Sequence, residues 1–358
     1  VKEALYLFLL QKREENELSK AFTAYNTRII TPPTGDNTPV EPVRRKILLI
    51  ALVLGFLIPM VVIYIREKAN TTVRGRKDLK KVNVPFLGEI PFSISRKNRP
   101  TLEQRIKFWK KPKEVRMIVV KAGKRDIVNE AFRVLRTNFE FTIGTHPEQN
   151  VIVFTSFNPG SGKSHIAANM AMSLAIKKKK VLLIDGDLRH GSTSMLIHSP
   201  GEGLSDYLNG RIADIHDILY KGEENGLVKN FDVIPIGTIP PNPTELLFTP
   251  LLEQMIKTMR EEYDYVFIDC PPIEVVADTP IYEQFADRTI FVVRAGLMER
   301  SMLPEVNALY KAKKFKNMTL ILNGTKAHGG RYGSHYGYGY GYGYGYNYNK
   351  EKNGGAKS

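Results

Sequence analysis

The chain has 358 residues, 42% of them hydrophobic, which allows about two domains and a packed core. It carries 52 Lys and Arg residues against 37 Asp and Glu, a formal net charge of +15, and one cysteine. The single cysteine excludes an internal disulfide framework and fits a reducing compartment for the main domain.

The N-terminal residues 1–30 have the spacing of an amphipathic helix, because Leu18, Phe22 and Tyr25 recur at helical intervals. Residues 31–42 contain four prolines and predict an extended segment. We assign residues 1–43 to this helix end and its Pro-rich continuation.

A long apolar run follows, in which the nineteen residues from Ile47 to Ile65 are uncharged. At ~1.5 Å per residue a helix of this length spans about 28 Å, enough for the hydrocarbon core of a bilayer. The run predicts a transmembrane helix over 44–66, with a buried core helix as the alternative. Three bases precede the run closely and six follow it, so the positive-inside tendency places residues 1–43 outside and the longer C-terminal part in the cytoplasm.

Nearly all of the excess positive charge lies just after this span. From Arg66 to Arg125 there are 19 basic and five acidic side chains, a net of +14. We interpret residues 67–125 as a basic juxtamembrane linker attracted to anionic lipid. Nucleic-acid binding is the weaker alternative, because no recognition motif is evident.

Strand-like and helix-like segments alternate from Ile127 to Asn323, which indicates an α/β fold with a parallel sheet flanked by helices, in one domain over 126–327. The predicted strands are Val151–Thr155, Val181–Asp185, Phe231–Ile236, Tyr265–Asp269, Thr289–Arg294 and Met318–Asn323. The predicted helices are Ile127–Ile143, Lys163–Lys177, Thr244–Tyr263, Pro280–Phe285 and Leu303–Lys313.

A glycine-rich run between a strand and a helix predicts a phosphate-binding loop, since its amides and the helix N-terminus attract anionic oxygens. The usual pattern begins with Gly five residues before Gly162, where this chain has Phe157, so the match is to the looser form of the loop. Lys163 would contact the β and γ phosphates, and Ser164 would ligate Mg²⁺. The predicted nucleotide-binding residues are Pro159, Gly160, Ser161, Gly162, Lys163, Ser164, His165 and Arg189, and the predicted cofactors are ATP and Mg²⁺.

Three aspartates end predicted strands downstream of the loop: Asp185, Asp187 and Asp269. Each alone is more often a turn or cap residue, but the carboxyl ends of parallel strands meet at one edge, so together they can converge on Mg²⁺ and the γ-phosphate. We assign catalysis to these three and Lys163, and metal binding to Ser164, Asp187 and, through water, Asp269. Either Asp185 or Asp187 would activate the acceptor hydroxyl, and Arg189 would contact phosphate or bridge to a carboxylate.

Asp185-Gly186-Asp187 together with the loop resembles the bacterial tyrosine kinases that accompany capsule and exopolysaccharide export. Partition and division-site ATPases instead carry a lysine at the position of Asn158. The family's Asp-Ser/Thr-Pro-Pro is similar to Asp269-Cys270-Pro271-Pro272. The resemblance extends over residues 40–350, including Pro240–Leu247, the Tyr-rich tail, and Glu130, Arg133 and Arg136, which are similar to the family's assembly motif.

Within the tail, residues 328–358, Tyr and Gly alternate from Tyr336 to Tyr346 with no apolar aliphatic side chain to bury, so the tail cannot form a core and is predicted to be disordered. We interpret it as a cluster of phosphoacceptors, with an aromatic self-associating linker as the alternative. The candidate acceptors are Tyr332, Tyr336, Tyr338, Tyr340, Tyr342, Tyr344, Tyr346 and Tyr348.

The resemblance implies an ATP-dependent protein-tyrosine kinase of the inner membrane, phosphorylating its own tail in trans within a ring-shaped homo-oligomer. It also implies that residues 1–30 are the end of a chain-length regulator's long helix, with another membrane span upstream. The implied partners are the membrane, the polysaccharide polymerisation and export machinery, and a tyrosine phosphatase, without nucleic acid. The alternatives are a partition-type ATPase switch, a non-catalytic regulatory subunit and, for Glu130, Arg133 and Arg136, an exposed salt-bridged helix face.

Overall fold

The computed structural model describes residues 2–22, 35, 41–92, 117–144, 146, 148–274 and 278–326. The chain divides into two compact units, residues 1–70 and 71–358. The centre of the predicted basic linker, residues 93–116, and the predicted Tyr-rich tail lie outside the described residues.

The first unit contains two helices, α1 (Lys2–Phe22) and α2 (Arg44–Lys68). α2 begins where the membrane span is predicted to begin and extends two residues beyond its predicted end, with Pro59 inside it. Among the described residues it is the one helix long and apolar enough to cross a membrane, with a mean hydropathy of 2.9. Its apolar side chains are exposed.

The second unit is built around a seven-stranded parallel sheet of order β1-β7-β6-β2-β5-β3-β4. The central strands are buried on both faces, which explains their continuous apolar sequences without alternation. The strands are β1 (Phe86–Phe92), β2 (Val151–Ser156), β3 (Val181–Asp185), β4 (Phe231–Ile234), β5 (Tyr265–Asp269), β6 (Arg288–Arg294) and β7 (Thr319–Lys326). The helices are α3 (Ile127–Ile143), α4 (Lys163–Ala175), α5 (Leu204–Leu208), α6 (Pro243–Leu246), α7 (Pro250–Glu262), α8 (Thr279–Glu283) and α9 (Leu303–Lys311).

The predicted α/β class with a parallel sheet is confirmed, and the six predicted strands are present, two with the predicted bounds (Val181–Asp185 and Tyr265–Asp269) and four with shifted ends. The seventh strand, β1, was not predicted, because its sequence lies in the segment assigned to the basic linker. It pairs with β7 at the edge of the sheet, with register shifts next to Gly88 and Pro91. Proline and irregular register are typical of edge strands. Residues 71–92 therefore belong to the α/β fold, not to a linker.

The predicted helix Thr244–Tyr263 is two helices, α6 and α7, and both begin with proline. Pro250 has no amide hydrogen to donate, so the chain ends one helix before it and starts the next helix at it. The interruption places α6 next to the site described below, while α7 packs its apolar face on the sheet through Leu252, Ile256 and Met259.

α3 begins at a fully formed N-cap. The Asp126 carboxylate accepts hydrogen bonds from the backbone amide and the side-chain amide of Asn129, both at 2.8 Å. Its other oxygen pairs with Lys124 at 2.8 Å. Burial opposes ionisation of Asp126, but the hydrogen bonds from Asn129 and Lys124 outweigh it and lower its pKa to about 2. The cap therefore stabilises the start of the helix in the ionised form.

Replacing Asp126 by Ala should destabilise the α/β domain by about 1 kcal/mol at neutral pH, the usual cost of losing an N-cap. Because the folded-state pKa of Asp126 is about 2, below the ordinary 3.8, this stabilisation is present above the ordinary pKa and is lost as pH falls toward 2. Urea unfolding of both proteins at a series of pH values measures this. A difference between them that stays constant on acidification would contradict the role of the carboxylate.

Candidate active site

The phosphate loop connects β2 to α4 and is held in place by residues from the neighbouring strands. The Asn323 amide, on β7, donates to the Ser161 carbonyl at 2.9 Å, and the Arg294 guanidinium, at the end of β6, donates to the Gly160 carbonyl at 3.2 Å. Within the loop, the Ser161 hydroxyl donates to the Asn158 carbonyl at 2.7 Å. The loop is therefore preorganised by contacts from β6 and β7, which the local sequence pattern does not contain.

Gly162 precedes the first residue of α4 with φ of +86°, in the left-handed region that favours glycine. A Cβ atom at this position would lie 2.3 Å from Nδ2 of Asn323. A side chain at residue 162 would therefore force the amide that braces the loop to move.

Gly162→Ala should displace Asn323 from the loop and weaken nucleotide binding by more than tenfold, measured by titration with a fluorescent ATP analogue. Gly210→Ala is the matched control: φ of Gly210 is +74° and nothing lies within 4 Å of its added Cβ. The control should show only the strain of a left-handed alanine and bind nucleotide normally. Equal loss of binding in both variants would mean that a left-handed alanine disturbs the whole domain, and would contradict a local effect at the loop.

Lys163 lies at the start of α4 with its ammonium among carboxylates. Nζ is 3.3 Å from Oδ1 of Asp269 and 3.8 Å from Oδ2 of Asp187, and the side chain is 10% exposed. Burial lowers the pKa of Lys163, but the charges of Asp269 and Asp187 outweigh burial and raise it above the ordinary value. The lysine therefore remains a cation, placed to neutralise phosphate oxygens that approach the loop.

The three predicted aspartates converge as the sequence indicated. Asp185 and Asp269 are register partners on the neighbouring strands β3 and β5. Asp269 accepts from the Thr193 hydroxyl at 2.6 Å, and Asp185 Oδ2 accepts from the backbone amide and hydroxyl of Ser194, both at 2.7 Å. Thr193 and Ser194 were not predicted, because no pattern in the sequence connects the turn after β3 to these carboxylates.

Asp185 differs from the other two aspartates in its surroundings. Its side chain is fully buried, and its Oδ1 atom has no hydrogen-bond partner in the part of the chain that the structure describes. Burial and the charge of Asp269 raise the pKa of Asp185 to about 7. Asp187, in contrast, is occupied by Lys163 and by the Arg189 backbone amide at 3.3 Å. Oδ1 of Asp185 is thus the one oxygen of the three carboxylates that the described residues leave without a hydrogen-bond partner.

The residues present fit a nucleotide-bound Mg²⁺. This ion prefers oxygen ligands and is usually held by one or two protein side chains together with phosphates and waters. The Ser164 hydroxyl lies 3.5 Å from Nζ of Lys163, whose ammonium also contacts the carboxylates of Asp187 and Asp269. One hydroxyl and two carboxylates beside the phosphate loop form a suitable donor set.

Arg189 bridges to a carboxylate, the second of its two predicted roles. Its Nε lies 3.4 Å from the buried Asp278, and its Nη2 donates to the Thr244 hydroxyl of α6 at 3.0 Å. Thr244 in turn donates to Asp278 at 2.6 Å. This network connects the turn after β3, the Pro240–Leu247 segment and the start of α8, so Arg189 positions the turn that carries Asp187.

His165, predicted to bind nucleotide, is a residue of α4 whose side chain packs against α3 and does not lie among the carboxylates. Its ring packs edge-on against Phe132, with 6.1 Å between centroids, and Nδ1 is 3.3 Å from the Asn169 amide. Burial lowers the pKa of His165, which favours the neutral ring. The contact joins α3 to the first turn of α4.

The predicted assembly residues on α3 do not act alike. Glu130 and Arg133 form an ion pair with each other, and Arg133 also donates to the Lys124 carbonyl at 2.8 Å. Arg136 instead reaches α4 and donates to the carbonyl and hydroxyl of Ser173 at 2.8 and 3.3 Å. Burial lowers the pKa of Arg136. Glu130 and Arg133 therefore match the salt-bridged face, while Arg136 holds two helices of one subunit together.

The sequence and the structure both match known proteins. Residues 149–298 match the family described as "AAA domain", and residues 1–68 the family described as "G-rich domain on putative tyrosine kinase". The tyrosine-protein kinase wzc of Salmonella typhimurium is 32% identical over 298 residues, 82% of this chain and 40% of that protein. The kinase domain of Escherichia coli tyrosine kinase ETK has a TM-score of 0.61 and 28% identity, covering 76% of this chain and 100% of that domain.

The parallel sheet, the phosphate loop before α4 and the aspartates at the strand ends define a P-loop NTPase-like protein. The BceF tyrosine kinase domain is 30% identical with a TM-score of 0.58, and this chain covers 99% of it. Within the P-loop class, the chain belongs to the bacterial tyrosine kinases. It spans about 40% of the length of the first curated relatives that it matches.

Proposed function

We propose that this chain is an ATP-dependent protein-tyrosine kinase that phosphorylates tyrosines of its own C-terminal tail. The observation that carries the proposal is the position of Lys163, which lies at the phosphate loop with its charge held by Asp187 and Asp269. Phosphoryl transfer depends mainly on positioning and on neutralising the charge that develops on the phosphoryl oxygens. A buried ammonium and the loop amides supply that charge.

The chemistry divides among the residues as follows. The phenolic oxygen of the acceptor tyrosine bonds to the γ-phosphorus, and the bond from that phosphorus to the bridging oxygen of ADP breaks. The phenol proton passes to Oδ1 of Asp185, the oxygen without a partner among the described residues. Lys163 and the loop amides stabilise the γ-phosphoryl oxygens. Ser164 and Asp187 would hold Mg²⁺, and Asp269 would support the ion through water. The ion would screen the charge of the phosphates.

A feature of the loop supports a kinase over the partition-type ATPase. Asn158 stands where those ATPases carry their additional lysine, and its amide donates to the Glu274 carboxylate at 2.7 Å. The polar contact at this position is therefore already made within the subunit. ATP hydrolysis without phosphotyrosine would nevertheless favour the ATPase switch.

The direct test is incubation of the purified full chain with Mg-ATP, followed by intact-mass and phosphotyrosine site analysis. We expect several phosphates, located among Tyr332, Tyr336, Tyr338, Tyr340, Tyr342, Tyr344, Tyr346 and Tyr348. The matched control replaces these tyrosines by Phe, which keeps the aromatic tail and removes the acceptor oxygen. The proposal is overturned if the wild type remains unmodified, or if the Phe variant gains as many phosphates.

The proposed kinase also assembles with copies of itself, and phosphorylation of the tail would regulate that assembly. The kinase acts in trans in a ring of inner-membrane subunits with the α/β domain in the cytoplasm, and it controls polysaccharide polymerisation and export opposite a tyrosine phosphatase. The Glu130–Arg133 pair, with Glu130 exposed and Arg133 partly exposed, would contact a neighbouring subunit. Each phosphate adds about −1.5 to −2 charges, so a phosphorylated tail should leave the neighbour's site and loosen the ring.

Glu130→Ala/Arg133→Ala should lower the molar mass of the dephosphorylated assembly without changing thermal stability. Arg136→Ala should leave the molar mass unchanged and lower the thermal stability, because Ser173 loses its partner. Light scattering of the detergent-solubilised protein and thermal unfolding separate the two effects. Equal mass for the phosphorylated and dephosphorylated wild type would refute the tail as an assembly switch.

A further inference from the structure

The segment between α2 and β1 is anchored to the α/β domain almost as soon as α2 ends. The Val73 amide donates to the Met298 carbonyl at 2.8 Å, the Gly296 amide donates to the Val73 carbonyl at 2.7 Å, and the Arg300 amide donates to the Thr71 carbonyl at 3.0 Å. Val73, Leu79 and Val84 are buried in the core cluster on this side of the sheet. The segment is therefore an ordered part of the domain surface.

In this segment the acidic side chain is paired and partly buried, whereas four basic side chains are exposed. The carboxylate of Asp78 points inward, where it accepts from the Arg74 amide at 2.8 Å and pairs with Nε of Arg300 at 3.1 Å. Its side chain is 22% exposed. The four exposed bases that surround it form a group that we call the basic ridge: Arg76, Lys77, Lys80 and Lys81.

Among the described residues, the basic ridge has no acidic partner of its own. None of its four side chains forms an ion pair with a carboxylate within the ranges that the structure describes. Arg76 lies over the Phe86 ring at 5.0 Å, which orients its guanidinium without neutralising it. Since the one acid within the segment is already paired, the ridge presents an uncompensated positive surface.

We propose that the basic ridge binds the headgroups of anionic phospholipids at the bilayer that α2 spans. This rests on the proposed orientation, in which the C-terminal end of α2 is cytoplasmic. α2 ends at Lys68, and Thr71 already belongs to the domain's hydrogen-bond network. Three residues span at most about 11 Å, so the chain between the end of α2 and the domain is short. Attraction between lysines and an anionic surface acts within a Debye length of about 8 Å, so a short connection is what such a contact requires.

Ordering of the ridge favours lipid binding further. A flexible polybasic tail loses conformational freedom when it binds, whereas Leu79 and Asp78 already fix the backbone that carries these bases. The lipid-binding surface is thus part of the folded domain. It makes the lipid surface a second point of attachment beside the membrane span.

The test uses the full chain in nanodiscs of phosphatidylcholine alone or mixed with phosphatidylglycerol. Acylation rates of individual lysines, read by mass spectrometry, should fall several-fold at Lys77, Lys80 and Lys81 when the anionic lipid is present, and recover at high salt. Lys178 and Lys180 are the internal control. They are exposed but precede β3 at the amino-terminal edge of the sheet, opposite to the carboxyl-terminal end of β6 where the segment is anchored.

A matched pair of variants completes the test. Lys77→Gln/Lys80→Gln/Lys81→Gln should abolish the lipid-dependent protection of residues 71–81 from hydrogen exchange, and Lys178→Gln/Lys180→Gln should retain it. Both should still phosphorylate tyrosine, so failure of this proposal is distinguishable from failure of the kinase proposal. Equal acylation in the two lipids would overturn it, as would protection by added duplex DNA but not by phosphatidylglycerol, which would assign the ridge to nucleic acid.

Discussion

Lys163→Met should reduce tyrosine phosphorylation by at least about 10²- to 10³-fold, the usual effect of removing a group that stabilises transition-state charge. The ammonium lies 3.3 Å from Asp269, and the Arg294 guanidinium at the same loop is held by the Gly160 carbonyl, so it does not take the place of the lysine. The measurement is the rate of phosphotyrosine formation with Mg-ATP at saturating concentration. A rate within tenfold of wild type would place the active site elsewhere.

The same substitution should also lower stability, and this effect has to be separated from catalysis. Asp269 and Asp187 are 0% and 4% exposed and both pair with this ammonium, and removing one partner of a buried ion pair can cost up to about 3–5 kcal/mol. Thermal unfolding and circular dichroism establish whether the variant is folded at the assay temperature. Lys180→Met, an exposed lysine just before β3, is the matched control and should leave both activity and stability unchanged.

Asp269→Asn should slow phosphorylation by about 10- to 100-fold or more, and Asp187→Asn at least as strongly, since both support the proposed metal ion. An amide at residue 269 could still accept from Thr193, but its NH₂ group would face the Lys163 ammonium, two donors without an acceptor between them. The lysine would then leave the position in which it meets phosphate.

The control for the carboxylates is at the other end of the same strand. Asp264 is an exposed acid immediately before β5, paired with Lys179 at 3.4 Å. Asp264→Asn changes the charge of the protein equally and should leave the phosphorylation rate within twofold of wild type. The carboxylate assignment fails if Asp264→Asn is as slow as Asp269→Asn, or if Asp269→Asn is fully active.

The parts of the fold that the sequence predicts are those with local patterns. Buried strands such as Val151–Ser156 begin with a continuous apolar run, and the phosphate loop carries its glycines, Lys163 and Ser164 within six residues. The aspartates follow from topology, since parallel strands end at the same edge. These features specify the α/β class and most of the candidate site.

The remaining features depend on contacts between distant residues, which no local pattern contains. β1 is a short segment with Gly88 and Pro91 inside a basic region, and it becomes a strand only because β7 offers a free edge. Asn323 was included in a predicted strand, but its contact with the phosphate loop depends on that strand's place in the sheet. Arg136 has the spacing of an exposed residue, yet the neighbouring α4 provides acceptors that draw it inward.

The pairing of β1 with β7 joins the first strand of the domain to its last. During synthesis, β1 emerges early, with Leu87 and Ile90 ready for burial, but its partner is made only after the rest of the sheet. Closing the long loop between β1 and β7 is slow, and parallel strands expose apolar edges until they are paired. The nascent domain should therefore depend on chaperones until β7 has left the ribosome, and chains terminated before Thr319 should aggregate.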